Sequence, residues 1–329
     1  MKLQLLVPQY QETDETIKPL LDSLAIQKEV DLNEVGVVIC NDGSDVFLTD
    51  EFLKSYPFKI EYHKCEHRGV SATRNACMDY ATAEYVMFCD ADDMFYSVAG
   101  LWMIFREMKT GFDGFTSVFV EDTRTSDEHE PVFVYREKDS TFVHGKVWRL
   151  DYLRKHKLRF NEKLMIHEDS YFNVIAQNCT ENLKYCPTPF YLWCWRDDSV
   201  CRHDMKYYLL KTYTNLLDSS EALVQEFMER GMREKATYSC VNMIFEAYYT
   251  MSKPDWINQD NVEYRDKTEK HFSRYFKKHK HFWQEISDET RMEISDMVRS
   301  KSIKDGMTME TMTISQWLEK IESLTEDEE

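Results

Sequence analysis

Tyr85-Val86-Met87-Phe88-Cys89-Asp90-Ala91-Asp92-Asp93 decides the fold of this chain. A continuous apolar run leads straight into three acids within four positions. Such a run reads as a strand buried on both faces, the kind that populates parallel sheets. The acids at its end lie where open parallel sheets bind ligands, beyond the carboxyl ends of the strands. Asp90 and Asp92, on alternate residues, can converge on one hard divalent cation that keeps positions open for diphosphate oxygens.

Residues 3–7 and 35–40 are apolar runs of the same kind, and 58–62 is a third strand candidate. The first two end in polar clusters, Gln9-Tyr10-Gln11-Glu12 and Asn41-Asp42-Gly43-Ser44-Asp45. Helical periodicity falls between the runs. Residues 14–26 place Ile17, Leu20, Leu21 and Leu24 on one face, with Thr13 or Asp14 as cap, and 71–81 form a second helix. A helix near 101–108 and a strand near 114–120 follow. This alternation predicts an α/β fold, a doubly wound and mostly parallel sheet.

The 329 residues are 43% hydrophobic and 30% charged, enough for a sizeable core and not a disordered composition. Only 9 glycines and 7 prolines occur, which excludes collagen-like and linker-rich chains. No Gly-x-Gly is present, so the dinucleotide fingerprint and the lysine-bearing phosphate loop are absent. A formal net charge of -18 disfavours non-specific nucleic-acid binding. Two basic runs interrupt it: 144–160 carries six Lys/Arg and 264–284 carries seven. Each reads first as a solvated helix face. The nine scattered cysteines form no C-x-x-C pair, and no signal peptide or membrane span is apparent. A reduced, cytoplasmic setting is the expectation. After about residue 205 the pattern turns helical and strongly charged.

His67-Arg68-Gly69-Val70-Ser71-Ala72-Thr73-Arg74-Asn75, followed by Phe88-Cys89-Asp90-Ala91-Asp92-Asp93, resembles the family 2 glycosyltransferases. Val7-Pro8-Gln9-Tyr10-Gln11-Glu12 is similar to their first strand and turn. Val38 to Asp45 is similar to their second, with Asn41 where the family usually has Asp. Gly145 to Arg149, Leu158 to Asn161 and His167 to Phe172 resemble their acceptor half, and Arg196 with Ser199-Val200 a loop after it. The resemblance covers about residues 1–203 and implies a glycosyltransferase A-type fold. It implies a catalytic domain over 1–205, its nucleotide-sugar half near 1–115 and its acceptor half near 116–205, with 206–329 as a helical appendage.

The resemblance also implies inverting transfer from a nucleotide-diphosphate sugar to an acceptor hydroxyl, with Mn²⁺ or Mg²⁺. Tyr10, beside Pro8, would stack on the nucleobase, and Glu12 would lie near ribose or base. Asp42 would accept from the base edge, which favours a base presenting N–H, as uracil does, and hence a UDP-linked donor. Arg74 would contact base or diphosphate, Asp90 the ribose and metal, and Asp92 would be the principal metal ligand. Inverting transfer needs one carboxylate to deprotonate the acceptor, and Asp169 with its neighbour Glu168 is the candidate. Lys146 and Arg149 could bind diphosphate or an anionic acceptor. His203 could be a late metal or phosphate contact, and Tyr191-Trp193-Trp195 an acceptor platform or core packing.

A sugar nucleotidyltransferase is disfavoured because no glycine-rich basic loop follows the first strand. A non-catalytic nucleotide-sugar-binding module is disfavoured by the joint presence of Asp42, Asp90, Asp92 and Asp169. The acceptor is open between a surface polysaccharide or glycoconjugate, a protein and a modified nucleic acid. The basic and aromatic mixture of 264–284 suits an anionic membrane surface, placing the chain at the inner face of a membrane; a nucleic-acid acceptor ranks behind it.

Overall fold

The structure, a computed structural model, describes residues 1–124, 130–196, 212–258, 261–305 and 312–324. The chain forms two compact units, Met1–Ser199 and Val200–Glu329.

In the first unit, β1 (Leu3–Gln9), β2 (Val35–Asp42), β3 (Lys59–Cys65) and β4 (Tyr85–Phe88) are parallel, in spatial order β3-β2-β1-β4. Helices α1 (Asp14–Ala25), α2 (Asp50–Lys54) and α3 (Val70–Tyr80) connect them. Every residue of β2 is buried, as its unbroken apolar run requires. The alternation of a strand then divides the side chains between two layers. Leu3, Leu5, Val7, Val35, Val37, Ile39, Tyr85 and Met87 pack with Ile17, Leu20, Leu21 and Leu24 of α1 in one core. Each such buried side chain contributes about 1.5–3 kcal/mol. Phe88, of opposite parity, packs on Phe160 and Phe172 with ring centroids 4.9 and 5.5 Å away. Thr13 caps α1 through its side chain.

Beyond β4 the sheet becomes mixed. β5 (Met94–Phe95) and α4 (Gly100–Met108) lead to β6 (Gly114–Arg124), β7 (Pro131–Arg136), β8 (Lys146–Arg149), α5 (Leu150–Lys155), α6 (Glu168–Asn178) and β9 (Leu183–Trp193). β8 enters antiparallel between β4 and β6, and β9 runs parallel to β6. The 144–160 run is therefore not a single solvated helix face: its first part is an interior strand with Lys146, Val147 and Trp148 buried.

The second unit is helical: α7 (Tyr213–Glu229), α8 (Arg233–Met251), α9 (Pro254–Ile257), α10 (Val262–Glu285), α11 (Asp288–Lys304) and α12 (Ile314–Glu322). Phe272, Tyr275, Phe276, Phe282 and Trp283 of α10 are all buried. Phe272 stacks on Trp317 at 5.3 Å. The aromatic half of the membrane-facing mixture expected at 264–284 thus faces the interior. Its basic residues remain outside, several paired with acids, such as Lys280 with Glu322 at 2.7 Å. No helix among the described residues is long and apolar enough to cross a membrane.

Candidate active site

The turns after β1, β2 and β4 gather at the carboxyl edge of the parallel strands. After β1, the Tyr10 N–H donates to Glu12 Oε2 (2.5 Å) and the Gln11 N–H to Ser44 Oγ (3.1 Å). Gln11 is held at φ 68, a left-handed conformation costly for a residue with a Cβ. The half-exposed Tyr10 ring stacks on His67, with centroids 4.8 Å apart. Pro8 pairs with Cys40 inside the sheet.

Asp42 ends β2 and is buried. Its Oδ1 accepts from the Arg68 N–H (2.8 Å) and its Oδ2 from the Gly69 N–H (3.0 Å), with His67 Nδ1 3.0 Å from Oδ2. The carboxylate thus anchors the entry to α3. Gly43 makes this possible: at φ +69, a Cβ there would lie 2.6 Å from His67 N. The base-edge role expected of Asp42 must share it with these donors.

After β4, Asp90 Oδ1 accepts from Arg74 Nη2 (2.9 Å). The other arm, Arg74 Nη1, donates to Glu168 Oε1 (2.7 Å) at the start of α6. The Arg74 side chain is only 6% exposed, so two acids from different parts of the chain share one buried cation. Burial acts against both charged partners, yet the attraction wins: the Asp90 carboxyl is held below its usual range and the Arg74 guanidinium is more firmly protonated than usual.

Asp169 is raised to about 7, first by burial and then by the Glu168 charge beside it, with Arg74 opposing. Its Oδ1 accepts from the Ser170 N–H (2.8 Å). His167, one residue before α6, has φ 66, so a second strained non-glycine backbone leads into these acids.

Asp92 is 25% exposed and pairs with Arg196, its Oδ2 lying 3.0 Å from Nη1. The same nitrogen is 3.5 Å from Glu12 Oε1. Asp92 and Glu12 are both raised, mainly by burial, with Arg196 opposing. Asp93 points inward. It accepts from the Tyr191 hydroxyl (2.6 Å) and the Cys194 N–H (2.9 Å), and His144 Nδ1 stands 3.7 Å from it. His144 sits among Phe119, Phe142, Tyr191 and Trp193, and burial lowers it to about 4, so it is neutral at pH 7.

Ligand atoms of Asp90, Asp93 and His144 lie within 4.8 Å of one another, a grouping that differs from the expected pair Asp90 and Asp92. Carboxylates with a neutral imidazole suit a divalent cation chemically. The openings differ, however. Asp93 and His144 are 0% and 3% exposed, and Asp93 already has partners on both oxygens. Asp90, 30% exposed, and Asp92 are the acids that a cation still open to a ligand can reach.

Lys146 and Arg149 lie away from the acids, and Tyr191 with Trp193 takes the core-packing alternative. Lys146 is 1% exposed, and its ammonium binds the Phe142 carbonyl (2.5 Å) and Asp139 (3.3 Å), so it holds a loop inside the unit. Arg149 bonds the Tyr85 hydroxyl (2.9 Å) at the start of β4, a strand's length from Asp90. Tyr191 is wholly buried beneath the acids rather than on an open platform, and Trp193 packs on Phe142 and His144. Ser199-Val200 and His203 fall outside the described residues. His67 and His144 drew no assignment from sequence, since their partners are distant in the chain and no periodicity marks them.

A mixed sheet whose first four strands are parallel, with acids after β4 and an acid pair opening α6, is the glycosyltransferase A-type fold. Residues 5–167, within the first unit, match the model of Glycosyl transferase family 2, so that unit carries a domain of this family. It is 27% identical over 167 residues to the minor teichoic acid biosynthesis protein GgaB of Bacillus subtilis (strain 168), covering 44% of this chain but 18% of GgaB. It is 25% identical over 245 residues to the putative glycosyltransferase EpsH of the same organism, covering 68% and 69% of the two chains. The crystal structure of S. aureus TarS 1–349 superposes with a TM-score of 0.63 at 16% identity, over 84% of this chain and 81% of that one.

Proposed function

We propose that this protein transfers a sugar from a UDP-linked donor to a hydroxyl of a surface polysaccharide, by a single inverting displacement. The observation that carries this reading is the Asp90–Arg74–Glu168 bridge, which ties the acids after β4 to the acid pair opening α6. Tyr10 offers a half-exposed ring for the base, and Asp90 a partly open carboxylate for ribose. Asp169 is the general base. A carboxyl near 7 holds a proton weakly enough to be ionised in much of the population, yet is basic enough to take one from an alcohol as the C–O bond forms. Glu168, bound to Arg74, is fixed in place beside it.

Asp90 and Asp92 would hold a divalent cation, Mn²⁺ or Mg²⁺, which when bound neutralises the charge on the departing diphosphate. Two relatives support the donor and acceptor classes. TarS has also been solved in complex with UDP-GlcNAc, and GgaB is named for teichoic acid biosynthesis. Incubation of the protein with a panel of nucleotide sugars, Mn²⁺ and polymeric acceptors should give nucleotide release that depends on Asp169. Equal turnover by Asp169→Asn, or release from no UDP-sugar in the panel, would overturn the reading.

A further inference from the structure

Arg196 stands against the acids that a cation would have to reach. Its Nη1 is 3.0 Å from Asp92 Oδ2 and 3.5 Å from Glu12 Oε1. The placement is built in. Tyr191 and Cys194 both bond Asp93, at 2.6 and 2.9 Å, which fastens the end of β9 beside the acidic turn. Two residues further on, Arg196 reaches Asp92. Without it, Glu12, Asp90 and Asp92 would bring three carboxylates to one edge of the sheet, with Arg74 as the other close cation among the described residues. Like charges so arranged repel, and a positive group among them stabilises the fold.

The two arginines differ in one respect. Arg74 is 6% exposed and clamped between Asp90 and Glu168. Arg196 is 34% exposed, on a long side chain that already reaches solvent. We propose that Arg196 is a replaceable internal counter-ion: it holds Asp92 in the ligand-free protein and competes with the divalent cation for that carboxylate. Cation binding and the departure of Arg196 from Asp92 are then a single exchange. A cation must find Asp92 released, so its apparent affinity is lowered by the fraction of molecules in which the pair is closed. The exchange keeps the acidic edge neutralised in both states. This inference rests on the proposed cation at Asp90 and Asp92.

The test is a Mn²⁺ titration of the full chain without nucleotide, read from the paramagnetic resonance signal of free Mn²⁺. Arg196→Gln should bind Mn²⁺ roughly fivefold more tightly than the wild type, the order of effect that a half-exposed ion pair can hold back. Arg196→Lys, which keeps the charge but not the planar fork, should fall between the two. In an Asp92→Asn background Arg196→Gln should give no gain. A thermal melt supplies a second readout: Arg196→Gln should melt lower than wild type without metal and gain more from Mn²⁺. Wild type with UDP serves as the reference for the site itself. If it binds Mn²⁺ while Arg196→Gln binds no tighter than wild type, the counter-ion role is overturned and the cation reading stands. If neither protein binds Mn²⁺ even with UDP, both fall. Should Arg196→Gln not fold, Arg196→Lys alone decides: affinity equal to or weaker than wild type overturns the proposal.

Discussion

Arg74 Nη1 lies 2.7 Å from Glu168 Oε1, although 94 residues separate them in the chain. The contact joins α3, the helix after β3, to the start of α6. Removing the guanidinium leaves Asp90 and Glu168 as partly buried acids without their shared partner. Arg74→Met should therefore destabilise the first unit by about 3–5 kcal/mol, the usual result of breaking a buried pair from one side. Arg74→Lys can satisfy one acid at a time and should lose less. Urea unfolding of both variants, followed by tryptophan fluorescence, measures the difference.

Asp169 makes a pH prediction with a definite sign. As the base it must be ionised, so kcat/KM should fall on the acid side with an inflection near 7, where burial and Glu168 place it. Asp169→Asn should lower kcat roughly 10²–10⁴-fold while nucleotide affinity changes little. Stability moves the other way. A carboxyl raised in the folded state holds a proton that the unfolded chain releases near its ordinary value of about 3.9. Its contribution is present below that value and is lost as pH rises through about 7. Between pH 5 and 8 the wild type should lose stability that Asp169→Asn keeps, measurable by unfolding at the two pH values.

Lys146 separates a loop-holding role from a ligand-binding one. Its ammonium is enclosed with Asp139 and the Phe142 carbonyl, and burial lowers its proton affinity against the pull of Asp139. Lys146→Met keeps much of the apolar stem and removes the charge, leaving Asp139 without its cation but still accepting from the Thr141 and Phe142 N–H groups. The expected outcome is a loss of about 1–3 kcal/mol with KM for the donor within about twofold of wild type. A tenfold rise in donor KM without loss of stability would return Lys146 to the diphosphate contact that its sequence context suggests.

What the sequence discloses here follows burial. Strands β1, β2 and β4 are legible because they are covered on both faces, so most positions are apolar and the polar residues that break each run mark its end. β8 is hidden for the opposite reason: its four residues begin and end with Lys146 and Arg149, whose charges meet the Asp139 carboxylate and the Tyr85 hydroxyl. Asp90, Asp92, Glu168 and Asp169 stand out as acids after apolar runs or at a helix start. Their pairing does not, because Arg196 meets Asp92 from 104 residues away. The inward turn of Asp93 is equally silent, since adjacent acids look alike until Tyr191 and Cys194 claim one of them.

The helical unit tests how far a basic and aromatic composition can be read as a surface. Phe272 is 0% exposed and stacks on Trp317, while Tyr275 donates to or accepts from Ser220 at 2.9 Å. These rings hold α10 against α7 and α12, so truncating one opens a cavity instead of removing a membrane contact. Phe272→Ala should cost about 3–5 kcal/mol and lower the melting temperature of the full chain. Vesicle flotation gives the contrast. With the aromatics inside, association of this stretch with anionic vesicles rests, among the described residues, on Lys277, Lys278 and their exposed neighbours, and should vanish at about 0.5 M salt, where charge attraction is screened within a few ångströms. Binding that persists at that salt would mean that apolar side chains enter the bilayer, which the buried face of α10 cannot supply and exposed residues such as Met292, Met297 and Ile303 would have to.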